Sequence, residues 1–191
     1  MNRITAYIRQ SLQDIYPPEE VKALSMLICC DMLGVDALDI YMGKDIILSA
    51  CKQRELENII FRLQKNEPIQ YIRGYAEFCG RNFRVAPGVL IPRPETAELV
   101  DLIVKENPDA RRLLDIGTGS GCIAISLDKN LPDAKVDAWD ISEEALAIAR
   151  KNNEELDAQV TFRRQDVFSA DGIQGTSYDI IAVSYTHLRA H

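Results

Sequence analysis

Apolar residues recur every three to four positions through the first third of the chain and then give way to short, tightly bounded apolar runs. In "PPEEVKALSMLICCDML" prolines and acids come first, followed by Val21, Leu24, Leu27, Ile28 and Met32, a spacing that predicts an amphipathic helix with its own start signal. "KDIILSACKQRELENIIFRLQKN" repeats the pattern with Ile47, Leu48, Cys51, Leu56, Ile59, Ile60 and Leu63. Together with "NRITAYIRQSLQDI" these predict a small helical bundle, and short connections at Gly34 and Gly43 suit antiparallel neighbours.

The pattern changes at "EPIQYIRGYAEFCGRNFRVAPGVLIPRPETAELV". Two strand-like runs, "YAEFC" and "NFRVA", flank Gly80 and Arg81 as in a hairpin, and Pro87, Pro92 and Pro94 punctuate the stretch after them. Pro94 suits the first turn of a helix whose apolar face carries Leu99, Leu102, Ile103 and Val104. This is the signature of a linker that packs. From Arg111 onward short apolar runs alternate with helical ones: "RRLLDIG", "CIAISLDKNL", "AKVDAWD", "SEEALAIARKNNEEL", "QVTFRRQD" and "YDIIAVS". Such alternation implies parallel pairing through right-handed crossovers, hence an α/β, doubly wound sheet of which four strands are visible.

With 191 residues, 47% of them hydrophobic, the chain has ample material for buried cores. Its net charge of −7, carried mostly after residue 75, disfavours sequence-independent binding to nucleic acid. The five cysteines (Cys29, Cys30, Cys51, Cys79, Cys122) include no C-x-x-C pair and read as reduced core residues. No apolar run is long enough to span a membrane and the N-terminus lacks a signal-peptide core, so the expectation is a cytoplasmic protein.

The candidate chemistry begins in "LLDIGTGSGCIAIS", where Gly117, Gly119 and Gly121 lie directly between a strand and a helix. Glycines there permit a sharp turn and close approach of a ligand to the main chain. The dinucleotide fingerprint is G-x-G-x-x-G; here the spacing is G-x-G-x-G with Asp115 just ahead. Asp140 ends the next strand roughly twenty residues on, where a carboxylate accepts from ribose hydroxyls, or else caps the following helix alongside Ser142 and Glu144. Asp166, after the third strand, is placed either to accept from an adenine amino group or to cap a loop. A nucleoside site with three glycines and no phosphate clamp points to S-adenosyl-L-methionine, whose charge Asp115 would complement; alternatively Asp115 braces the turn.

The order "EPIQYIRG", "LIPRPET", "LLDIGTGSGCIAIS", "DAWDISEEALAIARKN" resembles the PrmC/HemK family, the protein-(glutamine-N5) methyltransferases of peptide chain release factors, from about residue 1 to Ser184. The resemblance implies a helical substrate-recognition domain (1–75), a β-hairpin linker (76–93) and a Rossmann-like class I methyltransferase domain (94–184). It implies release factors as partners, methylated at a GGQ-loop glutamine in translation termination. Cofactor contacts would come from Asp115, Gly117, Thr118, Gly119, Ser120, Gly121, Asp140, Asp166, Val167 and Phe168, with Val167 standing where many relatives carry an aromatic ring. Arg93 and Glu95 would lie on the substrate side, Arg93 serving either there or as a brace.

The family orients its acceptor amide with an Asn-Pro-Pro-Tyr motif after the fourth strand. Here Tyr185, Thr186, His187 and Leu188 follow Ser184 and the motif occurs nowhere, so no catalytic residue is assigned. Residues 185–191 are expected to be a non-native tail and the methyltransferase domain to be C-terminally incomplete. His187 and His191 lack a third ligand and a helical context, so no metal is expected. The expectation is a monomer without membrane association. Two alternatives remain: an adenine-N6 nucleic-acid methyltransferase, and a non-catalytic binding fragment.

Overall fold

The structure, a computed structural model, describes residues 2–169 and 177–183. The chain divides between Arg73 and Gly74 into two compact units, each with its own core.

The first unit is helical. Helix α1 (Arg3–Leu12) buries Ile4, Ile8 and Leu12, one residue per turn on a single stripe, and Asn2 caps it by accepting from the Ile4 N–H at 2.8 Å. Helix α2 (Pro18–Met26) starts on Pro18 with Glu19 and Glu20 in its first turn and continues as a π-helical segment, Leu27–Met32. The Leu33 N–H reaches back five residues to the Ile28 carbonyl, and the wider turn brings both Cys29 and Leu33 into the core. After α3 (Ala37–Tyr41), α4 (Ala50–Gln64) supplies Leu56, Ile59, Ile60 and Leu63, and α5 (Ile69–Arg73) ends the unit. Burial of each such side chain stabilises the fold by about 1.5–3 kcal/mol.

The periodicity overextended α4. Ser49 accepts from the Lys52 N–H and caps the helix there, leaving Ile47 outside it and 92% exposed and placing Cys51 on the solvent side. Cys29 and Cys122 are buried as expected, Cys30 and Cys79 half-buried, and all five thiols are free. Burial pushes the Cys29 thiol up to about 11 and the Cys122 thiol up to about 12, so neither is a thiolate near neutrality.

The second unit opens with a hairpin, β1 (Tyr75–Phe78) and β2 (Arg81–Arg84). Its two turn residues, Cys79 (φ 47°) and Gly80 (φ 69°), are both left-handed, the geometry that matches the twist of a two-residue hairpin. Phe78 and Phe83 meet edge to face at 5.9 Å beneath it. Helix α6 (Pro94–Glu106) follows and buries Val100 and Ile103, while Leu102 is half exposed, not on the apolar face.

Strands β3 (Arg112–Ile116), β4 (Lys135–Asp140), β5 (Thr161–Arg164) and β6 (Ile180–Val183) form one parallel sheet in the order β5-β4-β3-β6. Helices α7 (Cys122–Asn130) and α8 (Glu143–Glu155) connect β3 to β4 and β4 to β5. Leu113, Leu114 and Asp115 in β3 are all fully buried, as a central parallel strand covered on both faces requires. Asp179 fixes the start of this strand: its Oδ2 accepts from the Arg111 and Arg112 N–H groups at 2.7 and 2.9 Å, which holds its carboxyl below the usual range. Ile116 pairs with Trp139, and Asp140 with Arg164, so the three strands β3, β4 and β5 end at one level. The order reverses at β3, which places a crevice beyond these carboxyl ends.

Candidate cofactor site

A cavity of about 480 Å³ occupies that crevice. The turn after β3, the end of β4, the loop after β5 and the segment between β2 and α6 all line it. From the sequence-predicted residues it brings together Gly117, Thr118, Gly119, Ser120, Asp140, Asp166, Val167, Phe168 and Arg93. Asp115, Gly121 and Glu95 do not line it.

The glycine turn is held from several directions. Gly117 (φ 72°), Gly119 (φ 55°) and Gly121 (φ 80°) are all left-handed, a conformation in which a side chain strains the backbone. The Trp139 carbonyl accepts from both the Gly117 and Thr118 N–H groups, at 2.9 and 3.0 Å, hanging the turn on the end of β4. The Gly119 N–H donates to Asp140 Oδ2 at 2.9 Å. Gly121 faces inward: a Cβ there would stand 3.1 Å from Ile125 Cδ1 and 3.2 Å from Ala149 Cβ. The third glycine therefore serves close packing of the turn against α7 and α8, not ligand contact.

Asp115 lies inside the turn. It is fully buried, and its Oδ2 accepts from Thr118 Oγ1 at 2.7 Å. Its Oδ1 is buried with no hydrogen-bond partner among the described residues. Desolvation pushes its pKa up to about 6, against which the Thr118 hydroxyl and the main-chain N–H of Ala124 pull down. Of the two readings left open for it, the brace is the one with geometry.

Asp140 holds two main-chain groups. Oδ2 holds Gly119, and Oδ1 accepts from the Ser142 N–H at 3.0 Å, while Ser142 itself caps α8 by accepting from the Ala145 N–H at 3.2 Å. Each carboxylate oxygen has a second lone pair, so both can still accept from a ligand's hydroxyls. Asp166 resembles it on a smaller scale. Its Oδ1 accepts from the Phe168 N–H at 2.9 Å, a local turn that leaves Phe168 95% exposed and Val167 39% exposed beside the cavity.

Sequence reasoning passed over several lining residues. Gly88, Val89, Leu90 and Pro92 form a strap from the proline-punctuated linker, and Val89 is 3% exposed. Ile141 and Gln165 flank the two aspartates, and adjacency to those aspartates was the available signal. Among the described residues the ionisable lining consists of Asp140, Asp166, Arg93 and the thiol of Cys122. One cation and two carboxylates make a poor clamp for a polyphosphate and a suitable surround for an uncharged sugar and base. Among the described residues no group of three or more His, Cys, Asp or Glu side chains could hold a metal ion, and no helix is long and apolar enough to cross a membrane.

The family described as "PrmC N-terminal domain" matches residues 4–74, and "Methyltransferase small domain" matches residues 95–184. The chain belongs to the PrmC/HemK family. A release factor glutamine methyltransferase of Flavobacterium psychrophilum is 37% identical over 185 residues, which is 94% of this chain and 65% of that one. One from Koribacter versatilis is 48% identical over 151 residues, 78% of this chain and 54% of that one. The PrmC/HemK chain thus spans between about half and two thirds of these relatives' length. Among solved structures, a T. thermophilus 16S rRNA methyltransferase in complex with AdoMet and guanosine aligns with a TM-score of 0.51 at 21% identity. It covers 61% of this chain and 33% of that one, and shows a shared Rossmann-like methyltransferase fold.

Proposed function

We propose that this chain forms the donor-binding part of an S-adenosyl-L-methionine-dependent methyltransferase that modifies the GGQ-loop glutamine of peptide chain release factors at N5. The observation that carries the reading is Asp140, which ends β4 inside the same cavity as the left-handed glycine turn and the Asp166–Phe168 loop. The names of the relatives support the acceptor. The acidic balance of −7 favours a protein acceptor over nucleic acid.

The residues fit the cofactor. Gly117 has nothing within 4 Å of where a Cβ would stand, and at Gly119 the nearest atom to that point is 3.8 Å away, so the turn leaves room for the methionine portion. Asp140 accepts from the ribose hydroxyls and, by also holding Gly119 and Ser142, keeps the acceptor oxygens aimed without a ligand. Ile141 and Val167 offer apolar surface to the adenine, and Asp166 accepts from its amino group. Arg93, a basic side chain in the lining, suits a carboxylate. When bound, the cofactor supplies an electrophilic methyl on a sulfonium, and transfer leaves a neutral thioether.

Orienting the weakly nucleophilic amide of the acceptor requires paired hydrogen-bond acceptors, and the 191 residues contain no Asn-Pro-Pro-Tyr to provide them. We assign turnover to a chain that carries that motif beyond Ser184. The protein works in the cytoplasm, as a monomer.

The test uses residues 1–191 and the same chain extended by whatever the gene encodes after the Ser184 codon. Calorimetry with S-adenosylhomocysteine is expected to show binding to both, lost by about 100-fold in Asp140→Ala. Radiolabelled methyl transfer is expected only from the extended chain, onto release factor and not onto its GGQ glutamine variant. Transfer to DNA or RNA in place of release factor would sink the acceptor, and no binding at millimolar ligand would sink the cofactor.

A further inference from the structure

Asn152 lies in the last third of α8, is 1% exposed and does not line the cavity. Its side-chain amide is nonetheless the junction of three separate segments. Oδ1 accepts from the Arg84 N–H at 2.7 Å, and Nδ2 donates to the Arg84 carbonyl at 3.1 Å, so the amide pairs with β2 as a neighbouring strand would. The second Nδ2 hydrogen goes to the Ser120 carbonyl, 2.8 Å away, between the second and third glycines of the turn. Both donors and an acceptor are thus committed to main-chain groups 68 and 32 residues distant.

The two anchored points lead straight into the cavity walls. Strand β2 runs directly into the strap whose Gly88, Val89 and Leu90 line the cavity, and Val89 Cγ1 stands 3.8 Å from the position of a Cβ on Gly119. Trp139 and Asp140 secure the first half of the glycine turn; the Ser120 carbonyl in the second half depends on Asn152. One buried amide therefore fixes the strap and the turn relative to each other through α8.

We propose that Asn152 is a positioning residue for the cofactor: it presets the spacing between the two cavity walls without touching the ligand. The proposal rests on the cofactor reading above for its ligand, and on the fold alone for its effect on the turn. A preset site spares the ligand the ordering of both segments on binding, and losing the amide returns that cost. Asn152→Asp is the sharp substitution, because it keeps the shape and the acceptor while setting carboxylate oxygen against two carbonyls.

The experiment compares Asn152→Asp and Asn152→Ala with Val136→Ala, a core truncation in β4 away from the cavity, and with Arg84→Ala, which removes only the ion pair to Glu155. Amide hydrogen exchange by NMR reads the turn, and calorimetry reads S-adenosylhomocysteine affinity at a temperature where every variant is folded. Both Asn152 variants are expected to speed exchange at Gly119 to Cys122 by roughly tenfold or more and to weaken the ligand by at least roughly tenfold, the scale of one lost hydrogen bond. Val136→Ala and Arg84→Ala are expected to stay within about threefold of the parent in affinity. Parent-like exchange at the turn in Asn152→Asp, or an affinity matching that of Val136→Ala, would overturn the proposal. If the parent chain binds no S-adenosylhomocysteine, the cofactor reading falls while the exchange data still decide Asn152. Should Asn152→Ala not fold, Asn152→Asp carries the same measurements.

Discussion

Two walls of one cavity are built on different principles. The glycine turn, residues 117–121, has local ties from the Gly121 N–H to the Thr118 carbonyl and from Thr118 Oγ1 to Asp115, but it is also held by residues 21 and 32 positions away and by the main chain of β4. The loop 165–169 is mostly self-tied: Asp166 accepts from Phe168, Ser169 donates to the Asp166 carbonyl, and Gln165 donates to Ser169 Oγ at 2.7 Å. Its one distant tie among the described residues is the Gln165 N–H to the Asp140 carbonyl. A wall pinned by the tertiary structure transmits any local change to the core. A wall pinned by its own neighbours does not. The first should couple ligand affinity to stability, and the second should separate them.

The largest break in that contrast comes from Gly121→Ala. A left-handed φ of 80° and a Cβ at 3.1 Å from Ile125 Cδ1 and 3.2 Å from Ala149 Cβ combine strain with overpacking, and denaturant melts should show a loss of about 3–4 kcal/mol. Gly119→Ala, with its nearest atom at 3.8 Å, should lose only about 1 kcal/mol, from strain alone. Equal losses at the two positions would mean that packing behind the turn is not what Gly121 serves.

Next in size is the buried carboxyl. Asp115 has a folded pKa of about 6 against an unfolded value near 3.8, so the folded chain holds this proton more tightly than the unfolded chain. Its burial penalty is fully present above pH 6, shrinks as pH falls through that value, and is gone below the unfolded pKa. Comparing parent with Asp115→Asn at each pH, the parent should gain roughly 2–3 kcal/mol relative to the variant between about pH 7 and pH 4. A difference that stays flat across that window would show the carboxylate to be adequately solvated or paired when charged.

The local wall should respond more weakly. Asp166→Ala removes an exposed Asx-type bond and should cost about 0.5–1 kcal/mol of stability. Phe168→Ala, at a side chain 95% exposed, should change stability by less than about 0.5 kcal/mol. Both are expected to weaken S-adenosylhomocysteine severalfold at nearly unchanged melting temperature. A melting temperature that fell in step with affinity would erase the distinction between the walls.

How much of this was legible beforehand follows the same division. The stripe Ile4, Ile8, Leu12 and the run from Leu56 to Leu63 are periodic, and periodicity reports a face directly. Ile47 broke the rule because a serine cap two residues later outweighed the apolar spacing. The Met26-to-Leu33 stretch broke it through a π segment that no spacing count anticipates. At the site, the three alternating glycines and the strand-end Asp140 were visible as a pattern. That Gly121 packs inward and that Asp140 holds Gly119 were not, and spacing alone left Asp115 open between bracing the turn and facing the cofactor. Asn152 gave no signal at all, because one polar residue in "ARKNNEEL" looks like solvated helix surface until β2 and the glycine turn are packed against it.

The sequence by itself determined the helical and α/β halves, the glycine turn and the carboxylates placed after successive strands, because these depend on local spacing and on the conformational freedom of particular residues. The tertiary structure decided which of those residues face the cavity and which hold it open. Hydrogen bonds spanning 21, 32 and 68 positions made that choice, and such pairings exist only once parallel strands and their crossover helices have brought the partners together.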